Sequence, residues 1–287
     1  MLPTAVQAVP PVSEDYFGAF DGMAPNGPID PAFDHEAFDT SMDGAGVMAA
    51  LFAVANPENA GPMSAYMRNQ FPFLGVKSTE RRAALKPFLA QARKDPHADW
   101  SFVASCWAYP QREFQYAGID YLLAMKKKLT VADLPRIKTL MTGKSWWDTI
   151  DALDPVVYAI VKVDRAEAAA AGGAGSAGNA DGDVGRTARA GRSAAVATMR
   201  DWARDENFWV RRAAIIHQLS AKGDTDAELL AEIIEANLGS DEFFINKAIG
   251  WALRNYARVN PEWVLDFVAG HELAPLSKRE ALKHLAD

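Results

Sequence analysis

From residue 45 onward the chain reads as one amphipathic helical pattern after another, and this leaves few folds open to it. Apolar residues recur three and four apart, and the strict alternation of a half-buried strand does not occur. Candidate helices fall at about 45–56, 61–71, 78–93, 97–107, 110–126, 130–142, 145–163, 195–204, 207–221, 225–237, 241–258, 260–270 and 276–285. Start signals support them: Ser78-Thr79-Glu80 precedes a Leu/Ala/Phe pattern, and Ser145 with Asp148 three residues on resembles a capping box. Short connections between such helices favour antiparallel pairs stacked as a solenoid, although the pairs are not identical in sequence. The predicted fold class is all-α.

Two segments break the pattern. Residues 1–44 are rich in Pro, Gly and Asp and show no sustained period, so a flexible tail is expected there. Residues 165–193 are Ala- and Gly-rich with almost no large apolar side chain, and are expected to form a solvated loop with frayed helical ends. The Gly172-Gly173-Ala174-Gly175 run follows a helix rather than a strand, which argues against a phosphate-binding loop. One helical domain over 45–287, interrupted at 165–193, is the expected organisation.

Charge is unevenly placed. The net charge is −7, yet residues 1–44 hold eight acids and no Lys or Arg. The rest of the chain has 30 basic and 29 acidic residues, so the body is near neutral and able to carry a basic face. The tail is expected to weaken nonspecific binding by competing for such a face. A single cysteine, Cys106, excludes an intrachain disulfide framework and a multi-cysteine zinc site, and packing is its expected role. No apolar run reaches transmembrane length and no secretory signal pattern opens the chain. A reducing cytoplasm, with no membrane association, is the expected setting.

Two segments place a tryptophan where a core does not need one. In Lys144-Ser145-Trp146-Trp147-Asp148-Thr149-Ile150-Asp151, an apolar stripe runs through Trp146, Ile150, Leu153 and Val157. Trp147 and Asp151 lie four apart on the neighbouring face. In the second segment Lys247, Trp251, Arg254 and Arg258 share one stripe. An aromatic within a basic stripe suits a partner that is anionic and also offers a surface to stack on.

Four stretches together resemble the AlkD-type DNA glycosylases, alkylation-repair proteins built from HEAT-like helical repeats. They are Tyr66 to Lys77 (YMRNQFPFLGVK), Lys144 to Asp151, Trp209 to Ile215 (WVRRAAI) and Glu242 to Trp251 (EFFINKAIGW), and the C-terminal stretch Leu273 to Lys283 also fits. The resemblance runs from about residue 60 to the end, apart from 165–193. It implies a HEAT-like solenoid with a concave, positively charged cleft for duplex DNA. It also implies excision of cationic N3- and N7-alkylpurines without flipping the base into a pocket. The family's sugar-facing tryptophans and aspartate fall on Trp147, Trp251 and Asp151. Its backbone-holding arginine falls on Arg212. Lys77, Tyr66, Lys144, Arg211, Lys247 and Arg254 are further candidate DNA contacts. The acidic tail and the Ala/Gly segment have no counterpart in the family pattern.

The residue types suit that chemistry. Cleaving an N-glycosidic bond leaves oxocarbenium character on the sugar. A carboxylate near C1′ stabilises that charge and orients water, and tryptophan faces favour the electron-poor ring. A cationic purine leaves without prior protonation, so neither a strong general acid, a metal nor an organic cofactor is expected. With no lysine standing out as a Schiff-base nucleophile, a monofunctional glycosylase acting as a monomer on double-stranded DNA is the expected function. Plainer roles stay open at this point: Trp147 packing under the next helix, Asp151 as a solvated carboxylate, Arg212 snorkelling from an apolar stripe, and the lysines as surface charge. So do two other classes, a non-catalytic binder of distorted or branched duplex and a protein-interaction scaffold.

Overall fold

The computed structural model of the chain describes residues 42–173 and 193–285. Among these residues there are thirteen α-helices and no strand. They are α1 (Gly44–Ala53), α2 (Pro57–Tyr66), α3 (Ser78–Ala92), α4 (Trp100–Ala108), α5 (Arg112–Met125), α6 (Leu134–Thr142), α7 (Trp147–Gly173), α8 (Ala194–Trp202), α9 (Phe208–Ile216), α10 (Ala227–Glu235), α11 (Phe243–Tyr256), α12 (Pro261–Gly270) and α13 (Pro275–Ala281).

Most helices begin at a side chain able to accept the otherwise unpaired first-turn N–H groups. Asp43, Asp99, Ser193, Asn207, Asp226 and Asn260 each accept a backbone N–H from the first turn of the helix they precede. At α2 the cap is Asn56, with Pro57 in the first helical position, where its missing N–H costs nothing.

Three boundaries depart from expectation. The second helix spans 57–66 rather than 61–71, because Asn56-Pro57 starts it early and Arg68 and Asn69, at φ 58° and 57°, end it. The seventh continues to Gly173, so 165–173 is helix and not loop. Alanine's high helix propensity explains the extension. The helix is also tied down where this extension begins: Asp164 accepts from the Ser193 hydroxyl and the Ala195 N–H, and Arg165 pairs with Asp226 at 2.8 Å. At the N-terminal side Met42, within the expected tail, is buried and donates its N–H to Asp99. The expectations for the tail and for the remainder of the Ala/Gly segment fall on residues 1–41 and 174–192, outside the described residues.

The odd-numbered helices form one continuous layer. Helix α1 packs on α3, and the sequence continues through α5, α7, α9 and α11 to α13. The second layer covers one side: α4 rests on α5, α8 on both α7 and α9, and α12 on both α11 and α13. This is the stacked helical-pair architecture expected of the sequence. Between the layers runs a single apolar core that includes Trp146, Ile150, Leu153 and Val157, all 3% exposed or less. Trp146 meets Trp209 and Phe244 at centroid distances of 5.8 and 5.6 Å, so the layer is knit by large rings beneath the candidate site.

Along the layer, charged pairs bridge successive junctions. Arg81 (α3) holds Asp120 (α5) at 2.8 Å, Arg112 (α5) holds Asp148 (α7) at 2.7 Å, and Arg212 (α9) holds Asp151 (α7) at 2.9 Å. Lys247 and Arg254 (α11) both reach Glu280 (α13). The junction of α9 and α11 is crossed by Arg212 Nη1, which donates to the Phe244 carbonyl at 2.8 Å.

Candidate active site

Helix α7 carries the site. Trp147 and Asp151 stand on one face, one turn apart, and both are half-buried. The adjacent Trp146 is in the core, so the two tryptophans divide between the core and its margin as their helical phase requires. Trp147 packs one side on the core and meets the exposed Tyr66 edge-to-face, with ring centroids 5.9 Å apart and planes at 78°. Tyr66 and Trp147, predicted from distant segments, are thus brought together.

Asp151 is held by both carboxylate oxygens. Arg212 Nε donates to Oδ1 and Nη2 to Oδ2, each at 2.9 Å. The side chain of Asp151 keeps 17% of its surface, and that of Arg212 only 4%. Burial raises the Asp151 pKa above the ordinary aspartate value, Arg212 opposes this by charge and hydrogen bonding, and nearby Asp148 adds to the rise. Arg212, expected to meet a DNA phosphate, has its partners inside the protein. Its guanidinium is buried and committed to Asp151 and the Phe244 carbonyl, so in this structure it orients the carboxylate.

Four of the other five predicted cations also have internal partners. Lys144, at φ 53°, points its ammonium to the Tyr109 carbonyl. Burial, with Arg112 nearby, lowers its pKa to about 8. Arg211 donates to the carbonyls of Asp205 and Glu206 at 2.7 and 3.1 Å. Lys247 and Arg254 flank half-buried Trp251 on α11 and converge on Glu280. Of the ten predicted site residues only Tyr66 and Lys77 are exposed.

Gly250 explains how α13 comes so close. A Cβ there would lie 2.5 Å from the Glu280 Cβ and 2.8 Å from the Ser277 carbonyl oxygen.

Several further residues shape the site without standing out in the sequence. Asp148, which resembles half of a capping box, instead accepts Arg112 through both oxygens and the Tyr116 hydroxyl at 2.6 Å. Arg112 is fully buried, lies 3.7 Å above the Phe71 ring, and also donates to the Lys144 carbonyl and the Thr149 hydroxyl. Asp154, one turn past Asp151, is buried beside the Ser220 hydroxyl at 3.3 Å. Burial raises its pKa to about 8, the Ser220 hydrogen bond opposing and Asp151 adding to the rise. The 148/151/154 spacing is visible as one acidic helix face, but nothing local marks which acid has a cation.

Comparison with known proteins identifies the family. The profile of the family described as DNA alkylation repair enzyme matches residues 47–171 and 180–285. A solved structure described as a predicted DNA alkylation repair enzyme from Enterococcus faecalis superposes with a TM-score of 0.68 at 31% identity. The match covers 81% of this chain and 97% of that one. No curated protein matches the chain. With the family profile covering nearly all of the helical body, the chain belongs to the DNA alkylation repair enzyme family.

Proposed function

We propose that this repair enzyme is a DNA glycosylase that hydrolyses the N-glycosidic bond of cationic N3- or N7-alkylpurines in duplex DNA, acting as a monomer and leaving an abasic site. The observation that carries the reading is the carboxylate of Asp151, clamped in a fixed orientation by Arg212 one turn from the half-open face of Trp147. A pre-oriented carboxylate needs no reorganisation when positive charge develops at C1′.

In this reading the C1′–N bond breaks and its electron pair leaves with the purine, which becomes neutral. Asp151 stabilises the sugar cation and orients the water that adds to C1′; the water's proton is released to solvent. Trp147 and Trp251 offer ring faces to the deoxyribose, and Tyr66 backs Trp147. Lys77 is the candidate backbone contact most open to solvent. Lys144, Arg211, Lys247 and Arg254 join it only by exchanging an internal acceptor for a phosphate.

One observation favours the alternative, a non-catalytic reader of distorted duplex. The Asp151–Arg212 pair is internally compensated, so Asp151 would not repel DNA as a lone carboxylate would. Single-turnover release of 7-methylguanine from a defined duplex decides between them. Wild type is expected to release base, and Asp151→Asn to lose about a hundredfold or more. Release at the spontaneous rate by wild type, with duplex binding intact, establishes the non-catalytic reading instead.

A further inference from the structure

Helix α2 poses a problem that its own packing does not solve. It delivers Tyr66 to Trp147, yet none of its ten residues is buried. Apolar contact is what usually fixes a helix to a domain, so something else must hold this one in place.

The holding element is the extended segment 71–77. Three polar bonds tie α2 to it: Asn56 N–H to the Leu74 carbonyl at 3.0 Å, Asn59 Nδ2 to the Gly75 carbonyl at 3.2 Å, and the Ser64 hydroxyl to the Phe71 carbonyl at 2.9 Å. Gly75, at φ 83°, permits this approach, since a Cβ there would lie 1.9 Å from the Asn56 carbonyl oxygen.

The segment in turn is anchored by the buried side chains of Phe71 and Val76, and its backbone by one carboxylate. Glu113, at the start of α5 and fully buried, accepts the N–H groups of Leu74, Gly75 and Val76 at 2.9, 2.9 and 3.0 Å. Three successive amides around one carboxylate form a compact anion cradle, and such charge-assisted bonds are the strong ones. The neighbouring Arg112 fixes the other half of the aromatic pair. Its backbone N–H donates to the Pro72 carbonyl at 2.9 Å, while its guanidinium grips Asp148 and the Lys144 carbonyl at the start of the helix that bears Trp147.

We propose that Glu113 is a positioning residue for base excision, acting through the strap 71–77 to set Tyr66 against Trp147. The inference rests on the glycosylase reading, because it assigns Tyr66 and Trp147 to the wall beside the lesion. Glu113 touches no substrate; its effect passes through Tyr66.

A double-mutant cycle on single-turnover release of 7-methylguanine tests this. The variants are Glu113→Gln, Tyr66→Ala and the pair, assayed at a temperature well below each variant's melting midpoint. Glu113→Gln is expected to lower the rate at saturating enzyme at least tenfold, and to add less than twofold to the loss already caused by Tyr66→Ala. Equal losses from Glu113→Gln in both backgrounds, or no loss in the wild-type background, overturn the inference. If Glu113→Gln does not fold, Glu113→Asp, which keeps the charge but withdraws it by one methylene, takes its place in the same cycle. A wild type that releases no base overturns both the glycosylase reading and this inference; an active wild type with independent losses overturns the inference alone.

Discussion

Arg212 and Asp151 form a two-point pair across helices α9 and α7, with the arginine almost wholly enclosed and the carboxylate open on one side. The cation therefore aligns the acid and opposes the rise that burial imposes on its pKa. Arg212→Ala is expected to cost about 3–5 kcal/mol in a urea titration, the usual result of leaving a buried charge without its partner. It is also expected to move the acid limb of the pH–rate profile to higher pH. The sign follows from the charges: activity needs the carboxylate form, and removing the cation raises a pKa that burial has already raised. Arg212→Lys, which keeps charge but not the planar fork, should fall between the two. An acid limb unmoved in Arg212→Ala would mean that Asp151 is not the titrating group.

Asp154 reverses this relationship. It is buried with a hydroxyl neighbour, and its folded pKa is about 8 against about 4 when unfolded. A raised carboxyl pKa gives stability that is fully present below the unfolded pKa and declines as pH rises to the folded value. Asp154→Asn is accordingly expected to change stability little at pH 4 and to increase it progressively toward pH 8, by at most a few kcal/mol. Melting midpoints of both proteins across that range check the slope. Parallel curves would show that Asp154 is not held neutral.

Lys144 should confer pH dependence on binding. With a pKa lowered to about 8, it loses its charge as pH passes from 7 to 9. If it meets a phosphate in the complex, affinity for undamaged duplex at fixed salt should weaken over that interval. Lys144→Arg, which stays cationic, should flatten the response. The same pH response in both proteins would remove Lys144 from the interface.

Gly250 is expected to be intolerant of even one carbon. Alanine would gain about 1 kcal/mol of helix propensity. Its Cβ would nevertheless press on the Glu280 Cβ and the Ser277 backbone, which cannot rotate out of the way. Overpacking of about 1–3 kcal/mol should dominate, giving a net loss in a denaturant titration. The same shift would loosen Glu280 from Lys247 and Arg254. A more stable Gly250→Ala would show that α13 can move aside freely.

What the sequence discloses, and what it hides, divides by range. The Trp147–Asp151 spacing is set within one helix, so the amino-acid order alone reveals it. The split between Trp146 and Trp147 is legible for the same reason. The partner of Asp151 lies 61 residues away, and no local pattern announces it. Arg212 consequently looks open to phosphate in the sequence, although it is closed upon an acid. Arg112 and Glu113 escape notice for a related reason: both are charged residues in a fully buried position, which periodicity alone assigns to the surface. The start of the second helix does carry a signal, Asn56-Pro57, but the apolar pattern places it four residues later than the cap does.

Helix α2 has one more consequence. Opening a piece of a protein requires the loss of whatever buried contacts it makes, and this helix makes few of them. Its displacement would break hydrogen bonds that water can replace, while the core beneath stays shut. The wall that Tyr66 supplies is thus the part of the candidate site that yields first. How large an adduct fits beside Trp147 becomes a question of local opening equilibria in residues 57–66, which amide exchange measures directly, more than one of cavity volume.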